Sequence, residues 1–181
     1  MNDAWKYEEC LMSTAAISIA ETPDDIAAVK QLCRDFVTWL HAAHPEQREK
    51  ILIYFEPVKW ERTLAELPEI HARPDGAMLL ARLDGVPVGC IMYHKIDQGI
   101  AEVKRLFIAT EARGKGIASR LVEVLIKSAQ SDGYEELRLD TTTFLSEAER
   151  LYRKHGFVDS THSIELAEEA LDVVLFMRRT I

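Results

Sequence analysis

The sequence predicts an α/β protein of the α+β type, in which one mixed but mostly antiparallel sheet of six to seven strands carries helices on both faces. Three observations predict this architecture. Apolar residues recur at helical spacing over residues 26–40, three strand-like runs separated by turn residues occupy 77–108, and helix and strand patterns alternate beyond them. A chain of 181 residues favours one domain over two.

Ten elements are predicted in chain order from periodicity and from residues that start or stop helices and strands. They are a strand over 15–20, helices over 22–44 and 57–70, strands over 77–83, 86–95 and 100–108, a helix over 116–131, a strand over 137–141, a helix over 146–155 and a strand over 173–178. Thr22-Pro23-Asp24-Asp25 combines a capping residue, a proline and two acids, which is typical of a helix start, and Pro45 ends this helix. Asp84-Gly85 predicts a hairpin between the strands over 77–83 and 86–95. Asp132-Gly133 ends the helix over 116–131.

Residues 1–14 are predicted to be an N-terminal extension, followed by a single domain over 15–181, and Met12 is an alternative start to Met1. The first ten residues lack the basic flank and the apolar core of a signal peptide, which favours a cytoplasmic protein. No run approaches the roughly 18 apolar residues of a membrane span, so no membrane partner is expected.

Charge and cysteine content exclude further classes. The chain has 30 acidic and 22 basic residues, a formal net charge of −8, which argues against nucleic-acid binding because phosphate backbones require a broad basic surface. Three widely spaced cysteines match neither a zinc pattern nor a disulfide framework. No metal is expected: His41 and His44 lie one helical turn apart, but no third ligand is evident.

One local region is basic. Residues 101–120 contain five basic and two acidic residues. Within it, Gly114 and Gly116 allow a sharp turn, and the helix that follows presents free N–H groups and its positive dipole end beside Arg113 and Lys115. This pattern predicts a site for a small phosphate-bearing ligand. The alternative is a glycine turn that only starts a helix, with solvated basic side chains around it.

Two nucleotide-binding patterns fit this turn poorly. The GxxxxGK(S/T) loop is absent. Gly114–Ser119 nearly matches GxGxxG, and Asp140 follows on the next strand where an acid would bind a ribose. In dinucleotide-binding folds, however, that turn directly follows the first strand, whereas here three strands in hairpin order precede it. An NAD(P)-dependent oxidoreductase is therefore the less favoured interpretation.

A better match covers residues 77–178. Arg113-x-x-Gly116-x-Ala118, placed between a strand and a helix, resembles the motif (Arg or Gln)-x-x-Gly-x-(Gly or Ala) of the GNAT superfamily of acetyl-coenzyme A-dependent acetyltransferases. Lys104–Ile108 is similar to the fourth strand of that family, and Leu137–Thr141 to its fifth. Ala148–Phe157 is similar to the family's AxxLYxxxGF ending. The resemblance implies a GNAT-like sheet and an N-acetyltransferase.

The resemblance also implies how acetyl-coenzyme A is bound as co-substrate. The pyrophosphate lies on the glycine turn, the pantetheine arm pairs with the fourth strand where it splays from the fifth, and the thioester lies near Tyr152. Leu145 stands where the family often has an asparagine, so Phe144 and Leu145 are expected to pack on the arm instead. The implied coenzyme-binding residues are Leu106, Phe107, Ile108, Arg113, Gly114, Lys115, Gly116, Ile117, Ala118, Ser119, Leu145, Ala148 and Tyr152.

Two residues are candidates for catalysis. Tyr152 is the candidate acid for the leaving thiolate, by its family position and its phenol; a packing tyrosine is the alternative. Glu102 is the candidate base, directly or through a water, and a solvated strand residue is the alternative. The Ile108 N–H is a candidate oxyanion donor. Cys90 as an acyl carrier is less favoured than a buried strand cysteine.

The acceptor is expected to be a primary amine on a small molecule, attacked directly in a ternary complex. The net negative charge of the chain favours a cationic acceptor. The first helices, which vary within the family, are expected to line the acceptor pocket with aromatic residues. Trp60 is one of these, although a core position would explain it equally well. These residues are Trp39, His41, His44, Tyr54, Phe55 and Trp60. A non-catalytic acyl-coenzyme A-binding module is the alternative. The resemblance allows dimerisation through the C-terminal strand, so a homodimer is a further expectation, which the sequence itself does not decide.

Overall fold

The computed structural model describes residues 15–161 and 172–181, so the predicted extension over 1–14 lies outside the described residues. The elements are β1 (Ala16–Ile19), α1 (Pro23–Ala43), α2 (Arg48–Tyr54), α3 (Pro57–Ile70), β2 (Gly76–Leu83), β3 (Val86–Asp97), β4 (Ile100–Ile108), α4 (Ile117–Ser131), β5 (Glu136–Thr142), α5 (Ser146–Lys154), β6 (Val158–Asp159) and β7 (Val174–Thr180). Short 3-10 turns precede α2 and α4.

The seven strands form one sheet in the order β1-β2-β3-β4-β5-β7-β6. Every neighbouring pair is antiparallel except β4–β5. The predicted fold class is therefore confirmed. Two elements go beyond the predicted set: α2, which buries only Ile51, and β6, which pairs two residues with β7. Both are short and carry little apolar periodicity, which is the signal on which sequence-based assignment depends.

Helices cover both faces of the sheet because its strands alternate apolar side chains between two cores. On β2, Leu79 packs with α4 and α5, whereas Leu80 packs with α1, α2 and α3. The cap expected before α1 is present: the Thr22 hydroxyl accepts from the Asp25 N–H at 3.1 Å, and the Asp25 carboxylate accepts from the Thr22 N–H at 3.1 Å. These contacts hold the helices that flank the functional region.

The sheet opens between β4 and β5. The two strands pair only over Ile100–Val103 and Glu136–Leu139, although β4 continues to Ile108 and β5 to Thr142. A bulge interrupts the β3–β4 ladder in the same stretch, and Arg105 within it has φ of 60°. Beyond Val103, β4 therefore presents backbone groups to a wedge-shaped opening instead of to β5.

Within residues 15–161 and 172–181, no helix combines the length and the apolar character needed to traverse a bilayer. The homodimer expected from the sequence stays a prediction.

Candidate active site

A groove runs from the N-terminus of α4 to the opening between β4 and β5, with about 1530 Å³ of space between protein atoms, part of it open to solvent. It brings together all the predicted coenzyme-binding residues except Lys115 and Tyr152. Those that line it are Leu106, Phe107, Ile108, Arg113, Gly114, Gly116, Ile117, Ala118, Ser119, Leu145 and Ala148. Lys115 lies exposed on the turn, outside the groove lining.

The glycine turn offers free backbone donors at one end of this groove. Gly114 and Gly116 have φ of 76° and 73°, which a side chain would strain, and a Cβ on either would meet no atom within 4 Å. Across residues 15–161 and 172–181, no acceptor pairs with the N–H groups of residues 114–119. The first such bond of α4 joins the Arg120 N–H to the Gly116 carbonyl at 3.2 Å. The positive end of α4 and these N–H groups together suit an anion.

Arg113 supports the turn rather than pointing a free charge into it. Its Nε donates to the Ile108 carbonyl at 3.1 Å, and its guanidinium carbon lies 4.2 Å from the centre of the Trp39 ring. Arg113 thus ties the turn to the end of β4. Ser119, on the first turn of α4, is hydrogen-bonded to His155 Nε2 at 2.9 Å, a partner that the sequence pattern does not indicate.

The Ile108 N–H faces the opening. The neighbouring Ala109 N–H donates to the Val88 carbonyl of β3 at 2.8 Å. Because successive N–H groups of a strand point to opposite sides, the Ile108 N–H points away from β3. Its carbonyl, on the same side, is the acceptor for Arg113. The position suits the expected oxyanion donor or a hydrogen bond to an amide of a bound chain.

A second pocket adjoins the groove, with about 800 Å³ of space between protein atoms, part of it open to solvent. Leu106, Leu145 and Ala148 line both spaces, together with two phenylalanines, Phe36 and Phe144. Leu145 thus lies at the junction, where the family pattern has a polar residue and this chain has an apolar contact.

Tyr152 lines the second pocket, at the end of the groove. Its side chain is 6% exposed, and its ring packs edge-on against Phe157 with ring centres 5.5 Å apart. No described residue hydrogen-bonds to its hydroxyl. Burial raises the pKa of Tyr152, and the negative charge of Asp140 raises it further. The phenol is therefore protonated at neutral pH and available as a donor, while its ring also contributes to the core.

A partly buried polar cluster bridges β4 and β5 where their hydrogen bonds end. Lys104 on β4 pairs with Glu102 at 2.9 Å and with Asp140 on β5, and the Tyr54 hydroxyl donates to the second oxygen of Asp140. The sequence does not indicate this cluster, since its pattern suggests only a ribose-binding role for Asp140. The signal available is polar residues two apart on both strands, Glu102 with Lys104 and Arg138 with Asp140.

The cluster fixes the charge state of Asp140. Burial alone would raise the pKa of Asp140, but the Lys104 ammonium and the Tyr54 hydrogen bond outweigh it and lower the pKa below its ordinary value. Burial, reinforced by the charge of Asp140, raises the pKa of Tyr54. Because these partners occupy Asp140 and it lines the second pocket, it is not placed to bind a ribose in the groove. That placement removes the support for the oxidoreductase interpretation.

The Lys104 side chain lies between Glu102 and the second pocket. Glu102 is 5% exposed, so it is not a solvated strand residue, and it contacts Lys104 and, at 3.5 Å, His94. It lines neither the groove nor the second pocket, whereas Lys104 and Asp140 line the latter. A proton that reaches Glu102 from the pocket therefore has to cross the Lys104–Asp140 wall.

The expected aromatic residues divide between the two spaces. Tyr54 and Phe55 line the second pocket, and Trp39 and His44 line the groove. Trp60 is a core residue, 7% exposed, in agreement with the alternative interpretation of that position.

Two further residues named from the sequence, Cys90 and His41, lie away from the groove and the second pocket. Cys90 is fully buried in β3, which confirms the buried-cysteine interpretation and leaves its thiol without access to an acyl group. His41 lines neither space, and in the described part of the chain no three His, Cys, Asp or Glu residues lie close enough to share a metal ion.

Comparisons with known proteins identify the kind of fold and family. The model of the acetyltransferase (GNAT) family matches residues 33–157. A Schizosaccharomyces pombe protein described as an uncharacterized N-acetyltransferase is 31% identical over 147 residues, which is 80% of this chain and 83% of that protein. The IAA acetyltransferase of Azospirillum brasilense is 39% identical over 89 residues, 49% of this chain and 58% of that protein.

Among solved structures, the PaiA N-acetyltransferase of Thermoplasma acidophilum, in complex with coenzyme A, superposes with a TM-score of 0.69 at 22% identity. The match covers 92% of this chain and 99% of that one. At this identity the likeness establishes a shared fold.

Replacing Tyr54 with Phe tests the polar cluster. A carboxyl whose pKa is lowered by folding stabilises the folded protein at every pH above the ordinary pKa of about 3.9. This stabilisation is lost as the pH falls through the pKa that the carboxyl has in the folded protein. Without the Tyr54 hydroxyl, we expect the pKa of Asp140 to rise. The free energy of unfolding at pH 7 should fall by about 1.5–3 kcal/mol, and its acid decline should begin at higher pH.

Denaturant unfolding between pH 2 and pH 8 measures both effects, because the contribution of Asp140 titrates below its ordinary pKa of about 3.9. Tyr134→Phe is the matched control, because it removes a buried hydroxyl that donates to the uncharged Asp75 carbonyl at 2.8 Å. The control should lose stability equally at every pH in this range. The same pH-independent loss in Tyr54→Phe would contradict the role given to Asp140.

Proposed function

Since this chain belongs to the GNAT family of acetyltransferases, we propose that it transfers the acetyl group of acetyl-coenzyme A to the primary amine of a small-molecule acceptor, by direct attack in a ternary complex. The observation that carries the proposal is the junction of the groove with the second pocket. One space has free backbone donors for an anion, the other holds a protonated phenol, and they meet at Leu106, Leu145 and Ala148.

In this proposal the groove binds the coenzyme. The N–H groups of residues 114–119 hold the pyrophosphate at the positive end of α4, and the two glycines let it approach the backbone closely. The pantetheine amides pair with the free edge of β4 at Leu106, in the place that β5 leaves empty, and the Ile108 N–H is left for the reacting carbonyl. The apolar side chains of Leu145 and Ala148 pack against the arm.

Tyr152 acts as the general acid. When the amine attacks the thioester carbonyl, the bond to sulfur breaks and a thiolate leaves. A phenol whose pKa is raised by burial stays protonated at neutral pH. As the thiolate forms, the phenol donates its proton to the sulfur, and the phenolate takes up the proton that the attacking nitrogen loses when it becomes an amide. The Ile108 N–H stabilises the oxyanion that forms on the carbonyl during attack.

Glu102 receives the proton that the ammonium form of the acceptor must lose before it can attack. Because Lys104 and Asp140 stand between Glu102 and the pocket, we assign this transfer to a water at the pocket wall rather than to direct contact. Asp140, whose carboxylate lines the pocket, is the competing proton acceptor, but its lowered pKa makes it a weaker base.

A screen of primary amines tests the proposed function. The protein is mixed with acetyl-coenzyme A and each amine, and release of the coenzyme A thiol is followed with a thiol reagent. At least one amine should release thiol faster than the acceptor-free reaction, with acetylated amine formed in equal amount. Thiol release without acetylated product would contradict N-acetyl transfer.

Gly116→Glu should abolish coenzyme A binding. The new carboxylate would stand where the pyrophosphate lies, and like charges brought together cost several kcal/mol, so we expect the dissociation constant to rise on the order of 100-fold or more. Isothermal titration with coenzyme A measures the change. Gly85→Glu is the matched control: Gly85 also has positive φ (81°) and open space where a Cβ would lie, but it belongs to the β2–β3 turn. Unchanged binding in Gly116→Glu would refute the placement.

Tyr152→Phe should lower kcat by roughly 10- to 1000-fold, because the thiolate then leaves without a proton donor. Coenzyme A affinity should change little, since the ring remains. Steady-state thiol release gives the first quantity and isothermal titration the second. Tyr134→Phe, outside both spaces, should keep wild-type turnover, and wild-type turnover in Tyr152→Phe would remove it from the mechanism.

Glu102→Gln should lower kcat/KM at pH 7 by about 100-fold or more, with recovery at high pH as the free amine becomes abundant. The pH profile of kcat/KM from pH 6 to pH 10 checks this. Glu136→Gln, which alters a carboxylate of the sheet that pairs with Arg138 and Arg178 and lines neither space, should leave the profile unchanged. If Asp140→Asn shows the recovery and Glu102→Gln does not, the base is Asp140.

A further inference from the structure

One cation in the second pocket forms no ion pair with a described acidic residue. Lys50, Lys104 and Arg105 line this pocket in the described part of the chain. Lys50 pairs with Asp172, and Lys104 pairs with two carboxylates. Arg105 forms neither an ion pair nor a side-chain hydrogen bond with any described residue.

Arg105 is nevertheless held in place. Its guanidinium carbon lies 4.7 Å from the centre of the Trp60 ring and 5.5 Å from that of Phe55, and Phe55 also lines the pocket. Stacking on aromatic rings fixes a guanidinium in orientation without using its N–H donors. The donors thus remain available to a ligand.

The backbone at Arg105 is unusual as well. Its φ of 60° is uncommon for any residue other than glycine, and it lies in the bulge that bends β4 at the opening of the sheet. Bulges re-aim side chains, and strained backbone at a cavity wall is typical of functional positions. The bulge brings this arginine into the pocket between the sheet and the aromatic residues of α2 and α3.

We propose that the acceptor is an amine that also carries a carboxylate, in the manner of an amino acid, and that Arg105 binds this carboxylate with its paired N–H donors. The inference rests on the proposed function, since it names the acceptor class of the same site. A guanidinium and a carboxylate match in geometry and form two parallel hydrogen bonds. The assignment reverses the expectation of a cationic acceptor that the net charge of the chain suggests.

The rest of the pocket suits the amine end of such a molecule. Asp140 lines the same pocket, and its charge acts on both Tyr152 and Tyr54. An ammonium group is therefore attracted towards the side of the pocket where the thioester sulfur would lie. With the carboxylate on Arg105 and the amine near Asp140, the nucleophile points to the junction with the groove.

The experiment compares acceptors that differ only at the carboxylate. Thiol release is measured for the common L-amino acids and, for each one accepted, for its amide and its decarboxylated amine. The wild-type protein should prefer the carboxylated member of each set. Arg105→Asn removes the guanidinium while asparagine tolerates the left-handed backbone. It should lower kcat/KM for the carboxylated acceptor about 10- to 150-fold, the range for a hydrogen bond to a charged group.

Specificity separates this role from a structural one. Arg105→Asn should leave kcat/KM for the amide and the decarboxylated amine within about twofold of wild type, and Arg105→Lys should restore part of the preference. Arg34→Asn is the control, because Arg34 lies outside the pocket and pairs with Glu61 at 2.8 Å. Equal loss on all acceptors in Arg105→Asn, or no preference for the carboxylate in the wild type, would overturn the assignment.

A binding measurement keeps the outcome independent of turnover. N-acetyl-L-amino acids and their amides are titrated into the protein in the presence of coenzyme A. The acids should bind more tightly than the amides to the wild type, and this difference should disappear in Arg105→Asn. If no amine releases thiol, the proposed function fails, but an Arg105-dependent preference for the acids still supports the carboxylate site. Equal binding of acids and amides overturns it.

Discussion

The early end of the β4–β5 pairing is the constraint on which the rest of the site depends. Four residues of each strand pair in parallel, and past Val103 and Leu139 the strands present unpaired edges to each other. Buried backbone polar groups are costly unless they are hydrogen-bonded. The opening therefore requires water or a ligand rich in amides. Helices packed on both faces of the sheet keep the strands apart instead of letting the gap collapse.

The charged bridge across this opening replaces part of the missing ladder. Lys104 reaches from β4 to Asp140 on β5, and Tyr54 of α2 completes the coordination of that carboxylate. Lys104 and Asp140 are only partly exposed, with side chains 18% and 10% accessible. Separating them would leave two poorly solvated charges without partners, so the bridge opposes a change in strand separation. The same three residues, Tyr54, Lys104 and Asp140, line the second pocket, so the bridge across the opening is also part of the pocket wall.

Sequence patterns predict what a few neighbouring residues determine. The β2–β3 hairpin, the glycine turn before α4 and the position of Tyr152 are of this kind. The Lys104–Asp140 bridge depends on the register of two strands whose paired residues lie 36 positions apart, and single-sequence patterns do not fix such a register. Helix α2 is not predicted, for a different reason. Only Ile51 of its seven residues is buried, so the sequence has no row of apolar residues at helical spacing there. In the sequence Arg105 is only one of the five basic residues of segment 101–120. Its lack of an ion pair with the described residues follows from the bulge and from the rings on which it stacks, and sequence patterns reveal neither.

The difference between sequence patterns and contacts made by the fold also explains why the net charge of the chain is a poor guide to the charge of the acceptor. Charges exposed on the surface of this acidic chain act weakly at a distance, because interactions beyond a Debye length of about 8 Å are screened at physiological salt. A pocket with aromatic walls excludes much of that screening, so a guanidinium within it acts at short range and at a lower effective dielectric constant. Net charge governs solubility and encounter, whereas selectivity depends on the few charges that the fold leaves unpaired inside the pocket. In the described pocket lining that charge is positive, and it belongs to Arg105.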